Sequence, residues 1–255
     1  MTRLVLDDRF DAPALDLDRW VPHYLPQWST PELTAARYDL GPDGLRLRVD
    51  ADQRAWHPDE PGVRVSSLQT ATFSGPAGSE RGSHRHRPGL RVVTPEPTRL
   101  LCTPTGGRAE ATLRMRPDPT AMLAFWLAGT EVDDPTDAGV LCAVELFGHA
   151  IRPGESDVNV GVEAHHDPRL QDDMATLTLP LDATQWHTYG VEWSARAPGI
   201  RFTVDDRVVR VVDQQVAYPL LLFVDLFDLT DGGPLDPSLY PKTGDVRRVR
   251  VWSER

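Results

Sequence analysis

The sequence has few cysteines and lacks a long apolar run. Its 255 residues include only two cysteines, Cys102 and Cys142. Two are too few for a disulfide framework, and no Cys/His cluster has the spacing of a zinc site. We therefore expect neither a metal nor a cofactor. No stretch is long enough to span a membrane, and no apolar run precedes the first acidic residues, which predicts a cytoplasmic protein without a signal peptide.

Basic charge is also scarce. The chain carries 38 acidic and 27 basic residues, so its formal net charge is −11. A face that binds nucleic acid or an anionic membrane is normally basic. The balance therefore disfavours both kinds of partner, and the sequence does not indicate an oligomeric state.

Alternating apolar and polar residues recur along the chain. In Gly44–Val49, Leu45, Leu47 and Val49 share one face while arginines occupy the other, which is typical of a strand with one solvated face. Asp205-Asp206 separates two such segments and predicts a tight hairpin. The other alternating segments are Ala109–Met115, Gly199–Val204, Val208–Val212 and Val246–Trp252.

Three further segments are apolar on both faces: Ala121–Ala128, Val140–Phe147 and Leu220–Leu229. Strands covered on both sides have this composition, so we expect them at the centre of one sheet. No segment shows a sustained helical period, and at most a short helical turn is expected near Asp167–Met174. With no domain boundary and no repeat, we predict a single all-β domain over residues 1–255.

The order of these segments resembles glycoside hydrolase family 16. Ala124–Leu127 (AFWL) is similar to the end of a strand pair in that family, and Trp186–Trp193 (WHTYGVEW) to its F-H-T-Y-x-x-E-W segment. Phe202–Asp205 (FTVD) and Val249–Trp252 (VRVW) are similar to later strands. The resemblance covers nearly the whole chain. It implies a concanavalin-like jelly-roll β-sandwich of two antiparallel sheets, with a concave cleft and a saccharide or other small-molecule ligand.

The catalytic motif of that family, E-x-D-x-x-E, is not preserved. Alignment on the flanking glycines places Val140 at the nucleophile, Cys142 at the middle aspartate and Glu145 at the acid/base; a shorter spacing would place Leu141 at the nucleophile. A retaining glycosidase needs two carboxylates about 5–5.5 Å apart, and an inverting one needs a second carboxylate about 6.5–9.5 Å away. Candidates for that second group are Glu163, Asp225 and Asp228.

Two residues are candidate catalytic groups. Glu145 lies within an apolar strand, where desolvation raises the pKa of a carboxyl group. It either faces the cleft or pairs with an arginine or with His149. His165 lies where the family has a histidine-bearing strand, so it either contacts Glu145 or a ligand, or it is a turn residue before Asp167-Pro168.

The candidate ligand-binding residues are mostly aromatic or apolar. Trp28 and Trp56 lie in proline-rich loops, where we expect exposed indoles that cover a ligand. Trp126 either contacts the ligand or packs in the core. In Leu220–Leu229, one of two alternating faces lines the cleft: Phe223, Asp225 and Phe227, or Val224, Leu226 and Asp228. Together with Val140 and Cys142, these residues favour a ligand less polar than a glucan.

One loop is interpreted as exposed and non-functional. His84 and His86 lie among arginines in the run Ser83–Arg87 (SHRHR). The neighbouring sequence supplies no further ligands for a transition metal. An exposed loop is therefore the preferred interpretation.

Three functions remain open. In the first, the cleft is reused to bind or transform a small, partly apolar metabolite by cyclisation or isomerisation, with Glu145 as acid/base. In the second, the protein is a glycoside hydrolase that acts on β-glucan-type bonds. In the third, it is a non-catalytic carbohydrate-binding protein. Loss of the nucleophile and an apolar cleft floor favour the first.

Overall fold

The computed structural model describes residues 2–254, and these fold into two large antiparallel sheets. The strands, in chain order, are β1 Thr2–Asp8, β2 Arg37–Gly41, β3 Gly44–Val49, β4 Val63–Gln69, β5 Ala71–Thr72, β6 Arg99–Leu100, β7 Gly107–Met115, β8 Ala121–Gly129, β9 Val140–Phe147, β10 Ile151–Arg152, β11 Glu155–Glu163, β12 Asp173–Leu179, β13 His187–Ser194, β14 Ala197–Val204, β15 Arg207–Val212, β16 Leu220–Leu229 and β17 Lys242–Glu254.

Over residues 2–254, helical structure is confined to short turns. The α-helix α1 spans Pro31–Thr34, and 3-10 turns span Pro26–Trp28, Gly148–Ala150 and Pro237–Leu239. In the segment Asp167–Met174, where at most a helical turn is expected, residues 167–172 form non-helical turns and loop, and the last two residues begin β12. Within residues 2–254, no helix has the length and apolar character to cross a membrane.

The two sheets pack face to face as a jelly-roll β-sandwich. Sheet 1 has the order β15-β14-β13-β7-β17-β3-β2, with β1 also paired to β17. Sheet 2 has the order β10-β11-β9-β8-β16-β4, with β12 also paired to β11. The core between them includes Leu47, Ala111, Phe125, Leu222 and Val249, all fully or almost fully buried. The predicted fold class is confirmed.

Sheet 2 is apolar on its other face as well, because loops cover it. Trp126 and Phe223 on this face pack against Trp28, Trp56 and Leu90 from the loops in a second hydrophobic cluster. The three strands predicted to be apolar on both faces, β8, β9 and β16, are adjacent in this sheet, as expected for central strands.

A β-bulge interrupts strand β9. On β8, Phe125 pairs with Val144 but the next residue, Trp126, pairs with Cys142. One extra residue therefore lies in β9 between Cys142 and Val144. Strict alternation would send Glu145 to the face opposite Cys142. The bulge reverses that, and Glu145 shares the loop-covered face with Cys142 and Val140.

The predicted strands agree closely with the observed ones. Gly44–Val49, Val140–Phe147 and Leu220–Leu229 have the expected bounds. The hairpin at Asp205-Asp206 joins β14 to β15, and both aspartates have positive φ, 48° and 62°. Two such residues form the turn type that matches the twist of a two-residue hairpin.

Candidate functional site

A small cavity of about 150 Å³ lies on the loop-covered face of sheet 2. A cavity of about this size holds a molecule such as benzene. Its walls combine apolar side chains with a few titratable ones. They are Tyr24, His84, Met122, Ala124, Trp126, Val140, Cys142, Glu145, Glu163 and Phe227.

Glu145 projects into this cavity from the bulge of β9. Burial, and to a smaller extent the charge of Glu163, raise the pKa of Glu145 above its usual value. Asn159 Nδ2 on β11 donates a long hydrogen bond, 3.5 Å, to Glu145 Oε2 and partly offsets that rise. The amide is oriented by Thr176, whose hydroxyl donates to Asn159 Oδ1 at 2.7 Å. Glu145 is thus suited to hold or deliver a proton.

Cys142 lies beside Glu145 and is suited to packing rather than to nucleophilic attack. It is buried, and burial together with the Glu145 and Glu163 charges raises the pKa of its thiol. A nucleophilic cysteine needs the opposite shift. Val140, which pairs with Glu163 across β9 and β11, adds a second small apolar side chain to the same wall.

His165 pairs with Glu163 rather than with Glu145. Its Nε2 donates to Glu163 Oε2 at 3.1 Å, and of the two alternatives His165 occupies the turn position, directly after β11. His165 itself lies outside the cavity lining, in a neighbouring hollow at the protein surface. Its ring contacts that of His84, with 4.8 Å between the ring centroids.

Trp126 forms a wall of the cavity, and two buried residues of strand β16 support its side chain. Its indole stacks on Phe223 with 4.0 Å between centroids, and its Nε1 donates to Asp225 Oδ2 at 2.6 Å. Phe223 and Asp225 are fully buried and do not line the cavity. The sequence predicts that both residues contact the ligand directly. In the structure they lie behind Trp126 and support it instead. Phe227, from the same strand, does line it.

Trp28 and Trp56 are fully buried, so the expectation of exposed indoles is wrong. Trp28 Nε1 donates to the Ser83 carbonyl at 2.9 Å, and Trp56 Nε1 donates to Glu60 Oε2 at 3.0 Å. Trp56 also packs against His86 at 5.7 Å. Both tryptophans hold the loop that contains the two histidines.

His84 lines the cavity, although its neighbouring sequence predicts an exposed loop without a function. The loop that we interpreted as exposed buries it to 7% exposure, and its ring packs 4.8 Å from that of Trp126. Burial, and then the nearby His165, His86 and His166, keep the pKa of His84 well below its usual value. Its imidazole is therefore neutral at physiological pH. Tyr24, Met122 and Ala124 also line the cavity.

The histidine cluster does not form a metal site. Among residues 2–254, no group of three or more His, Cys, Asp or Glu side chains is arranged to hold a metal ion. Larger hollows lie elsewhere, one of about 520 Å³ beside Arg108 on sheet 1. There Arg108 is paired with Glu192 and Asp206, so its charge is already balanced by acidic side chains.

Comparison with known proteins gives structural matches alone. No protein-family model matches the chain, and no curated protein sequence matches it. An endo-β-galactosidase from Clostridium perfringens that releases GlcNAcα1-4Gal is similar in structure, with a TM-score of 0.82 and 20% identity over 98% of this chain. This chain covers 62% of that protein's length.

Two glucanase structures are also similar. The laminarinase catalytic domain from Thermotoga maritima has a TM-score of 0.66 and 15% identity, over 100% of this chain and 99% of that one. SCLam, a non-specific endo-β-1,3(4)-glucanase of family GH16, has a TM-score of 0.59 and 14% identity, over 100% and 92%. The chain therefore has the jelly-roll β-sandwich fold of glycoside hydrolase family 16 enzymes, which the order of its sequence segments predicts.

Proposed function

We propose that the protein binds a small, partly apolar, single-ring molecule in the cavity over Glu145 and transforms it with acid–base assistance. The observation that carries this proposal is the cavity itself, whose volume of about 150 Å³ suits one ring rather than a polymer. Met122, Trp126, Val140 and Phe227 supply apolar contacts. Glu145 supplies a proton, because burial keeps its pKa raised.

The size of the cavity is a consequence of the loop cover. Trp28, Trp56 and Leu90 fill the face of sheet 2 on which a polysaccharide groove would need open space. A carbohydrate-binding module would instead expose aromatic side chains along that face, and the two loop tryptophans are fully buried. Both observations favour a small ligand.

Glycoside hydrolysis is the second candidate, and one observation favours it. Glu163 lines the same cavity as Glu145, and a pair of carboxylates about 6.5–9.5 Å apart is what inverting hydrolysis requires. Against it stands the pairing of Glu163 with His165. Activity on β-glucans, which the glucanase neighbours suggest, is thus the alternative proposal.

Binding of cyclohexanone and phenol, measured by titration calorimetry, tests the first proposal. Ala124 lines the cavity, so Ala124→Leu should fill it and weaken binding at least tenfold. Ala197→Leu, at an exposed position on β14, is the control and should bind as the wild type does. Equal binding by Ala124→Leu and the wild type would contradict the proposal.

Assays of reducing-sugar release from laminarin and lichenan test the alternative. We expect no release by the wild type. Release that is lost in Glu145→Gln would establish glycoside hydrolysis and overturn the first proposal.

A further inference from the structure

His84 has a fixed position at the cavity. Its backbone adopts a left-handed φ of 51°, an uncommon conformation for a residue other than glycine. The preceding carbonyl, of Ser83, accepts hydrogen bonds from Gln27 Nε2 at 2.8 Å and Trp28 Nε1 at 2.9 Å. The Ser83 hydroxyl donates to the Thr130 carbonyl at 2.8 Å. These bonds hold the ring in the cavity wall.

The imidazole of His84 is buried and has unused hydrogen-bonding capacity. The residue is 7% exposed, and its ring contacts Trp126, Phe223, His86 and His165. Within residues 2–254, neither ring nitrogen has a hydrogen-bond partner. His84 lines the cavity, so a ring without an internal partner is available to a molecule bound there.

The surroundings of the two titratable groups favour their neutral forms. Burial and the nearby His165, His86 and His166 lower the pKa of His84, while burial and Glu163 raise that of Glu145. The cavity also contains Tyr24, whose pKa burial raises, and Cys142, whose thiol is shifted in the same direction. A neutral imidazole accepts a proton and a neutral carboxyl group donates one, which is the division of roles in acid–base catalysis.

We propose that His84 and Glu145 act as a base and an acid on opposite ends of one ligand, an uncharged single-ring carbonyl compound with a C–H group next to the carbonyl. This inference rests on the proposed function and names its substrate class. A single ring follows from the volume of about 150 Å³. An uncharged ligand follows from the lining, which contains neither arginine nor lysine among the described residues.

The proton transfers balance without a co-reactant. His84 takes a proton from the carbon next to the carbonyl, and the C–H electron pair forms a carbon–carbon double bond. The carbonyl oxygen takes a proton from Glu145, which gives an enol. Some ring ketones also have a double bond between the β and γ carbons, counted from the carbonyl. In these, protonated His84 returns its proton to the γ carbon, and the enol hydroxyl returns its proton to Glu145. The product is the conjugated isomer, and both residues regain their starting states.

Isomerisation of 3-cyclohexen-1-one to 2-cyclohexen-1-one, followed by absorbance of the conjugated product, is the test. We expect the wild type to accelerate it over buffer, and His84→Gln and Glu145→Gln each to lower the rate at least tenfold. His149→Gln, at an exposed histidine, should match the wild type. No acceleration by the wild type, or an unchanged rate in His84→Gln, would overturn the inference.

The pH profile separates a catalytic from a structural role. With increasing pH, the wild-type rate should rise as His84 loses its proton and then fall as Glu145 loses its proton. The His84→Gln variant should lose only the rise on the acidic side of this profile. A folded His84→Gln variant that keeps this rise would overturn the inference. Binding of cyclohexanone without isomerisation of 3-cyclohexen-1-one would overturn the acid–base pair and leave ligand binding in the cavity intact, whereas absence of binding would overturn both.

Discussion

Trp126 donates its indole N–H to the carboxylate of Asp225, with 2.6 Å between Nε1 and Oδ2. The two residues lie on adjacent strands, β8 and β16, and Asp225 is fully buried. Burial raises the pKa of Asp225 to about 7, although the Ser67 and Trp126 side chains lower it in part. The hydrogen bond holds the plane of the indole in the cavity wall, and the carboxyl group makes the stability of the fold depend on pH.

Asp225→Asn should remove that pH dependence. Since the folded-state pKa is raised, the stability contributed by neutral Asp225 is complete below about pH 4 and is lost as pH rises through about 7. The difference between the two pKa values corresponds to at most about 4 kcal/mol. Asparagine stays neutral, so the variant should gain stability relative to the wild type between pH 5 and pH 8. Urea denaturation at both pH values measures this.

Asp11→Asn, at an exposed position, is the control for Asp225→Asn. It should change stability equally little at pH 5 and pH 8. A parallel pH dependence in the wild type and Asp225→Asn would show that the buried carboxyl group does not titrate as described.

Asn159→Ala should raise the pKa of Glu145 further. Asn159 Nδ2 is the side-chain donor that stabilises ionised Glu145, and its loss leaves burial and the Glu163 charge unopposed. The titration of the Glu145 carboxyl carbon, followed by NMR, measures the shift. Thr178→Val is the control, because it removes a hydroxyl bond to Asp157 on the same strand pair. A Glu145 titration that is unchanged in Asn159→Ala would contradict this.

Trp28→Phe should loosen the loop that contains His84. The change keeps most of the buried ring but removes the hydrogen bond to the Ser83 carbonyl, a loss of about 1 kcal/mol. Hydrogen exchange at residues 83–87 should accelerate. Trp193→Phe, which removes a bond to the Thr105 carbonyl, should lose similar stability without faster exchange in that loop. Equal exchange in the two variants would show that Trp28 has no specific role there.

Tyr218→Phe should destabilise the start of strand β9. The Tyr218 hydroxyl accepts from the Gly139 N–H at 2.9 Å and donates to Asp167 Oδ2 at 2.7 Å. Without it, buried groups lose a partner, at a cost of about 1–3 kcal/mol. Urea denaturation measures the loss. Tyr38→Phe, whose hydroxyl has no partner within residues 2–254, should change stability far less, and an equal effect would refute the assigned role.

Much of the fold follows from local patterns. The alternation of Gly44–Val49 and the two-sided apolar character of Leu220–Leu229 define β3 and β16 at their observed bounds, because side chains alternate between the faces of a strand. The apolar character of β8, β9 and β16 on both faces likewise predicts that they are adjacent, since only central strands are covered on both faces. The sequence leaves open whether Glu145 faces the cleft, and alternation alone predicts the wrong face for it.

The remainder of the site depends on contacts between residues far apart in the chain. Trp28 lies in a proline-rich loop and His84 in a polar one, so each looks exposed when its neighbours alone are considered. The structure buries both, since the Trp28 indole bonds to the Ser83 carbonyl 55 residues away. No periodicity within either loop records that pairing.

The sequence by itself determined an all-β fold, because the alternation of apolar residues specifies which strands form and which of them are central. The resemblance of their order to glycoside hydrolase family 16 implied the two-sheet sandwich. Only the tertiary structure decided how large the cavity is and which side chains line it. The bulge turns Glu145 inward, and the packing of loops onto sheet 2 brings His84 to the same cavity. Both result from packing between distant segments, in which burial of apolar area outweighs local preference.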